Sequence, residues 1–261
     1  MPLVINVVGR GRGTGKTSII EYITQKLSDK NFQVATIKHI STGTFDTPNK
    51  DTWRHFKAGA VSVIAVTSNE TIYMKKTEKP ELAQAIELID EEIDIVLVEG
   101  FKDSVYPKIV VGETICDVKN LLRNRENVIA ISGTISTYPS EIEKIACDVP
   151  ILKIEELLPL IEKMLIGEVI KKLPGLDCKS CGYNSCLEMS KAILAGVASI
   201  HDCKTLANTD VKLIIDNERI HLSPFPRVFI KNVVIGMIKS LKGVGLDDTN
   251  FLELKINLHN K

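Results

Sequence analysis

The chain has 261 residues, 44% hydrophobic and 25% charged, a globular composition long enough for one large domain or two modest ones. Lysine plus arginine and aspartate plus glutamate both number 33, so the formal net charge is zero and the basic excess of a general nucleic-acid binder is missing. No apolar run reaches the roughly 18 residues of a membrane span, and the N-terminus enters a strand-like stretch with no basic leader, so a cytoplasmic protein with neither nucleic acid nor membrane as partner is expected.

Val4–Val8 reads as a first strand, and a helix over about Thr17–Leu27 sets Ile19, Ile20, Ile23 and Leu27 at helical spacing. Gln33–Lys38, Val61–Val66 and the almost wholly apolar Ile93–Val98 follow as strands. Val128–Ser132 and Ile151–Ile154 are later ones, and Glu155–Leu165 is a closing helix. Continuous Val/Ile/Leu strands alternating with helices predict a mainly parallel sheet covered on both faces. Thr71–Lys75 and Lys108–Val111 read as antiparallel additions.

Near Lys171-Lys172-Leu173-Pro174-Gly175 the texture changes to a cysteine-rich stretch that runs to about residue 204. Beyond it come a hairpin (Val211–Ile215 with Arg219–Leu222), a breaker at Ser223-Pro224-Phe225-Pro226, and a helix. That helix carries Phe229, Val233, Met237 and Leu241 as a narrow apolar stripe and is ended by Gly243-Val244-Gly245. Packing on its own hairpin is the favoured role for the stripe, with a homodimer as the alternative. Phe251–Leu258 reads as a last strand. The expected organisation is an α/β domain over 1–168, a four-cysteine module over 169–204 and a small α+β unit over 205–261.

The segment Gly11-Arg12-Gly13-Thr14-Gly15-Lys16-Thr17-Ser18 lies between a strand and a helix, the setting a phosphate loop requires. Its glycines let backbone N–H groups turn inward at phosphate oxygens, and the helix N-terminus adds partial positive charge. Lys16 is placed to reach the β- and γ-phosphates and Thr17 to ligate Mg²⁺, so the α/β domain over 1–168 is expected to be a P-loop NTPase. The strict pattern has glycine five residues before Gly15, where this chain has Arg10, so the first turn is shifted or carries an extra residue between Gly9 and Gly11.

An acidic residue at the tip of an apolar strand beside such a loop commonly holds the metal, which assigns Glu99 to Mg²⁺; Gly100 then lets the backbone approach the γ-phosphate. Lys16, Thr17 and Glu99 form the catalytic set for in-line attack of water. No general base stands out, which fits slow turnover. Asp46, Lys50 and Asp51 read either as a switch segment touching phosphate and metal or as solvated charges around a helix start at Asp51 or Thr52.

Together these segments resemble the molybdopterin-guanine dinucleotide biosynthesis adaptor protein B family (MobB). The resemblance rests on Gly13-Thr14-Gly15-Lys16-Thr17, Ile37-Lys38-His39, Asp46-Thr47-Pro48 with Lys50-Asp51-Thr52, and Lys57-Ala58-Gly59-Ala60. It continues through Leu97-Val98-Glu99-Gly100-Phe101-Lys102 and Pro107-Lys108-Ile109, over about residues 1–165. It implies GTP as ligand, weak GTPase activity and assistance to the guanylyltransferase that joins GMP to molybdopterin, with molybdopterin-cofactor enzymes as further partners. It also favours Asp46, Lys50 and Asp51 as site residues. No Asn-Lys-x-Asp guanine signature follows a late strand; Ser132-Gly133-Thr134 and Asp148-Val149-Pro150 are where base contacts are expected from fold geometry.

Cys178-x2-Cys181-x4-Cys186-x16-Cys203 supplies four thiolates in a chain whose cysteine use suits a reducing compartment. A 4Fe–4S cluster, a Zn²⁺ ion, free thiols and a disulfide are the readings, and three close cysteines with one distant favour the cluster. The stretch is also similar to the small four-cysteine iron–sulphur domain of some corrinoid iron–sulphur proteins and membrane electron-transport subunits, which again implies 4Fe–4S. His201 is expected beside the cluster, not on it, and Cys116 and Cys147 are expected as buried small hydrophobes. A small-molecule kinase and a nucleotide-gated redox or metal-delivery ATPase are the rival functions.

Overall fold

A computed structural model describes residues 2–11, 13–40, 48–77, 81–90, 92–122, 126–138, 148–207, 210–216, 218–243 and 250–256. Backbone contacts divide the chain into two units, Met1–Glu168 and Val169–Lys261.

The first unit is built on a five-stranded sheet in the order β2-β5-β1-β6-β7. The strands are β1 (Leu3–Gly9), β2 (Val34–Lys38), β5 (Ile95–Glu99), β6 (Lys108–Val111) and β7 (Val128–Ser132). Every pairing among them is parallel. Strand β1 is buried along its whole length, as expected of a central strand covered on both faces. Helix α1 (Lys16–Ser28) follows it and buries Ile19, Ile20, Ile23 and Leu27, the residues that its spacing predicts. One face of the sheet packs Val4, Val96 and Val98 against Leu82 and Ile86 of α3 (Leu82–Ile86). Further along the same face, Val8, Val110 and Ile131 pack against Val118 and Leu121 of α4 (Ile115–Leu122).

Two strand expectations are corrected. Lys108–Val111 is a buried parallel strand between β1 and β7, not an antiparallel addition. Val61–Val66 is not part of the main sheet: among the described residues, β3 (Ser62–Val66) pairs only with β4 (Thr71–Lys75), in a separate antiparallel hairpin beside α2 (Asp51–Lys57). The run Ile151–Ile154 contributes a single parallel bridge, Ile151 to Ile131. Helix α5 (Ile154–Lys172) is longer than expected and contains Pro159 within its first turns.

In the second unit, Leu173, Met189 and Cys203 form a small core with Tyr183, Ile193 and Leu206 packed against it. The elements are α6 (Cys186–Leu194), a 3-10 turn Ile200–Asp202, α7 (Lys204–Ala207), the hairpin β8 (Leu213–Ile215) with β9 (Glu218–Ile220), and α8 (Pro224–Lys239). The supposed breaker Ser223–Pro226 is the start of α8: proline fits the first helical turn, whose N–H groups have no intrahelical partner. Phe229, Val233, Met237 and Leu241 are all exposed, so the stripe is not buried on its own hairpin. Residues 251–256 are not a strand.

Candidate functional site

Strand β1 delivers the chain to a turn in which Gly11, Gly13 and Gly15 take φ of 77°, 82° and 87°. Only glycine holds that left-handed geometry without strain. Gly15 is the N-cap of α1, no described side chain caps it, and the first helical turn has no acidic residue. The helix start thus keeps amide donors available to an anion. The missing glycine at Arg10 is explained one residue earlier. A Cβ on Gly9 would lie 2.8 Å from both Thr14 Oγ1 and the Val111 carbonyl, so Gly9 is where the loop closes tightly on the sheet.

Lys16 reaches back over this turn. Its Nζ donates to Gly11 O at 2.7 Å and to Thr14 Oγ1 at 2.8 Å. Burial lowers its pKa, Glu99 opposes that shift, and the charges of Lys102 and Lys38 add to it. Thr17 Oγ1 donates to Glu99 Oε2 at 3.1 Å, and Lys38 Nζ reaches the same oxygen at 3.1 Å. Sheet register makes this meeting: Glu99 ends β5 opposite Lys38 on β2 and Val7 on β1. Gly100 follows with φ of 97°, and a Cβ there would stand 2.8 Å from His39 Cβ. The His39 ring lies against Phe101, with centroids 4.6 Å apart.

These groups line one open cleft of about 1390 Å³. Gly11, Gly13, Thr14, Gly15, Lys16, Thr17 and Ser18 from the loop meet Glu99 and Gly100 there. Lys50 and Asp51 do not line it; Lys50 is the N-cap of α2 and Asp51 opens that helix, paired with Arg54 at 3.4 Å in an exposed ion pair. Ser132, Gly133 and Thr134, and Asp148, Val149 and Pro150, also stand outside the cleft lining. Arg12 and Asp46 fall outside the described residues, as does Cys147. Cys116 is exposed at the start of α4, not a buried hydrophobe.

In the second unit, Cys178, Cys181, Cys186 and Cys203 line one small cavity, and none is in a disulfide. Local structure sets them there. Ser185 caps α6 by accepting from Glu188 N at 3.1 Å, and Asp177 Oδ1 accepts from Cys186 N at 2.6 Å. Gly182, with φ of 91°, turns the chain between the second and third cysteines. Burial pushes the Cys178 thiol up, but hydrogen bonds from Ser180 and Thr205 outweigh it and leave the pKa lowered. His201 does not line the cavity. Among the described residues, no three His, Cys, Asp or Glu side chains are gathered as a single metal ion needs.

Sequence reading gave Lys38 no role at Glu99, and it passed over Asn6, the one polar residue in the apolar run Leu3–Val8. That polar interruption of a central strand is the signal that could have found it.

Residues 4–134 match the family model described as "Molybdopterin guanine dinucleotide synthesis protein B". Residues 173–205 match the one described as "Putative Fe-S cluster". A relative from Methanocaldococcus jannaschii, named "Putative molybdopterin-guanine dinucleotide biosynthesis adapter protein", is 31% identical over 260 residues, covering 97% of this chain and 98% of its own. The molybdopterin-guanine dinucleotide biosynthesis adapter protein of Haemophilus influenzae is 32% identical over 156 residues, covering 59% of this chain and 84% of its own. Among solved structures, that of Bacillus subtilis MobB is 26% identical, with a TM-score of 0.51 over 64% of this chain and 98% of that one.

Proposed function

The chain belongs to the molybdopterin guanine dinucleotide synthesis protein B family, and on that premise we propose that it is a GTP-binding adapter in molybdenum or tungsten cofactor biosynthesis. Its partners on this reading are the guanylyltransferase that forms the dinucleotide and the enzymes that receive the cofactor. The observation that carries the nucleotide part is the meeting of Thr17 Oγ1 and Glu99 Oε2 at 3.1 Å, next to Lys16 at a glycine-lined helix start. A hydroxyl and a carboxylate held together at that place are the oxygen donors Mg²⁺ takes in phosphate loops.

Lys16 exchanges its present acceptors, Gly11 O and Thr14 Oγ1, for phosphate oxygens. The amides at the start of α1 add donors along the same chain of phosphates. Thr17 and Glu99 would hold Mg²⁺, which neutralises phosphate charge when bound. Glu99 is already engaged by Thr17 and Lys38 and is a poor candidate for a base, which supports slow hydrolysis. For the second unit we infer a 4Fe–4S cluster on Cys178, Cys181, Cys186 and Cys203. Its support is four cysteines around one cavity, none of them in a disulfide, with three close in the chain and one distant. Such a cluster supplies one-electron redox capacity when bound.

Calorimetric titration of the purified protein with GTP and with ATP, beside Lys16→Ala, tests the nucleotide reading. GTP binding lost in the variant is expected; tight ATP binding without a GTP preference would sink the guanylyl-transfer role. Anaerobic protein is expected to hold about four irons and to absorb broadly near about 400 nm. Stoichiometric zinc without iron overturns the cluster.

A further inference from the structure

Strand β5 ends at Glu99 beside Val7, and β6 begins at Lys108 beside Asn6. The two strands are staggered, so the loop between them crosses the upper part of β1 instead of returning along the sheet. Asn6 lies where it crosses. Its backbone N–H donates to Pro107 O at 2.8 Å. Its side-chain Nδ2 donates to Gly100 O at 3.0 Å and Phe101 O at 3.2 Å. One residue therefore holds both ends of the loop. Lys108, the register partner of Asn6, donates through Nζ to Ser104 O at 2.5 Å, Tyr106 O at 3.2 Å and Glu126 O at 3.1 Å.

Both side chains are costly where they stand. Asn6 is 0% and Lys108 2% exposed, and Asn6 Oδ1 has no partner among the described residues. Burial lowers the Lys108 pKa against the opposing charge of Glu126. On the same face of β1, Val4 and Val8 belong to apolar clusters on either side, so a valine at position 6 would serve the sheet better than an amide. What the pair secures is the loop, including Phe101 at φ of 48°, a backbone angle that a residue with a side chain adopts only when held.

The loop lines the cleft from Gly100 to Tyr106 and carries Lys102. Lys102 and Lys38 stand close enough to Lys16 to disfavour its charge. These ammonium groups repel one another by themselves and become jointly favourable once a polyanion lies among them. We propose that Asn6 and Lys108 are positioning residues that hold the loop Gly100–Tyr106 over the cleft so that Lys102 meets the polyphosphate of a bound nucleoside triphosphate. The proposal rests on the nucleotide reading above.

GTP titration of the full-length protein, combined with hydrogen exchange of residues 100–106, tests it. The variants are Lys102→Ala, Asn6→Val, Lys108→Met and the double variant Asn6→Val/Lys102→Ala. Each single change is expected to weaken GTP binding about tenfold, as removal of one charge-assisted hydrogen bond does. Asn6→Val and Lys108→Met raise exchange of the loop, whereas Lys102→Ala leaves it as in the wild type. The double variant binds within about twofold of Asn6→Val, because both changes remove one coupled interaction; a merely structural role for Asn6 gives multiplied losses instead. Multiplied losses, or unchanged GTP affinity in Lys102→Ala, overturn the proposal. The second of these outcomes does so even if the two buried variants fail to fold. Wild type that binds no GTP removes the nucleotide reading itself, whereas wild type that binds normally beside unaffected variants removes only the loop proposal.

Discussion

Gly9 and Gly13 belong to the same turn but resist a side chain for different reasons. A Cβ on Gly9 meets the Val111 carbonyl at 2.8 Å, which is backbone of the sheet and cannot step aside. Gly13 has open space around it, and its φ of 82° is the only obstacle. Gly9→Ala is therefore expected to lose about 1–3 kcal/mol by overpacking, against about 1–2 kcal/mol for Gly13→Ala; thermal unfolding of the two variants ranks them. Lys16 adds a pH signature at this scale. Its lowered pKa means the charged form is lost at lower pH than for an ordinary lysine. The loss of GTP affinity at alkaline pH should thus set in at lower pH than an ordinary lysine would give, read by titration across alkaline pH. The glycine turn and Lys16 were legible in the sequence because a strand, a glycine-rich turn and a helix start are a local pattern. Lys38 was not, because nothing local says that it faces the Glu99 carboxylate.

Among the elements, α6 shows how a helix start arranges a site. Ser185 accepts from Glu188 N, Glu188 Oε2 accepts from Asn184 N at 3.0 Å, and Asp177 accepts from the N–H of Cys186 itself. Ser185→Ala is expected to cost about 1 kcal/mol through loss of the N-cap and to speed iron loss to a chelator, read as the decay of visible absorption. Helix α8 gives the opposite case. Phe229 is 59% exposed, so Phe229→Ser should move stability by no more than about 0.5 kcal/mol in thermal unfolding. The 3.6-residue spacing made this helix legible, but periodicity cannot say whether an apolar stripe is covered. The direction of Lys108–Val111 was missed for a related reason: one lysine and three apolar residues carry no direction. Its parallel pairing follows from the stagger of β5 and β6, a relation between distant segments.

At the scale of the molecule, the division at Glu168/Val169 assigns the glycine turn with Lys16 and the four cysteines to different units. The second has a small core whose buried members include a cysteine of the site, Cys203. Calorimetric unfolding is therefore expected to show two transitions with separate responses. GTP at a hundred times its Kd stabilises one by about 2.7 kcal/mol, and iron removal lowers the other; a single transition that moves with both ligands contradicts this. The sequence by itself determined the α/β class, the glycine turn between strand and helix, and the grouping of four cysteines, because each is written in local spacing: apolar strand runs, glycines ahead of Gly15-Lys16-Thr17, and cysteines a few residues apart. Tertiary structure alone decided the strand order, the place of β6, the exclusion of β3 and β4 from the main sheet, and the meeting of Thr17, Lys38 and Glu99. It also set Asn6 and Lys108 side by side beneath one loop. Register between strands far apart in the chain brings these groups within hydrogen-bond reach, and register is settled by how whole faces pack, which no short segment encodes.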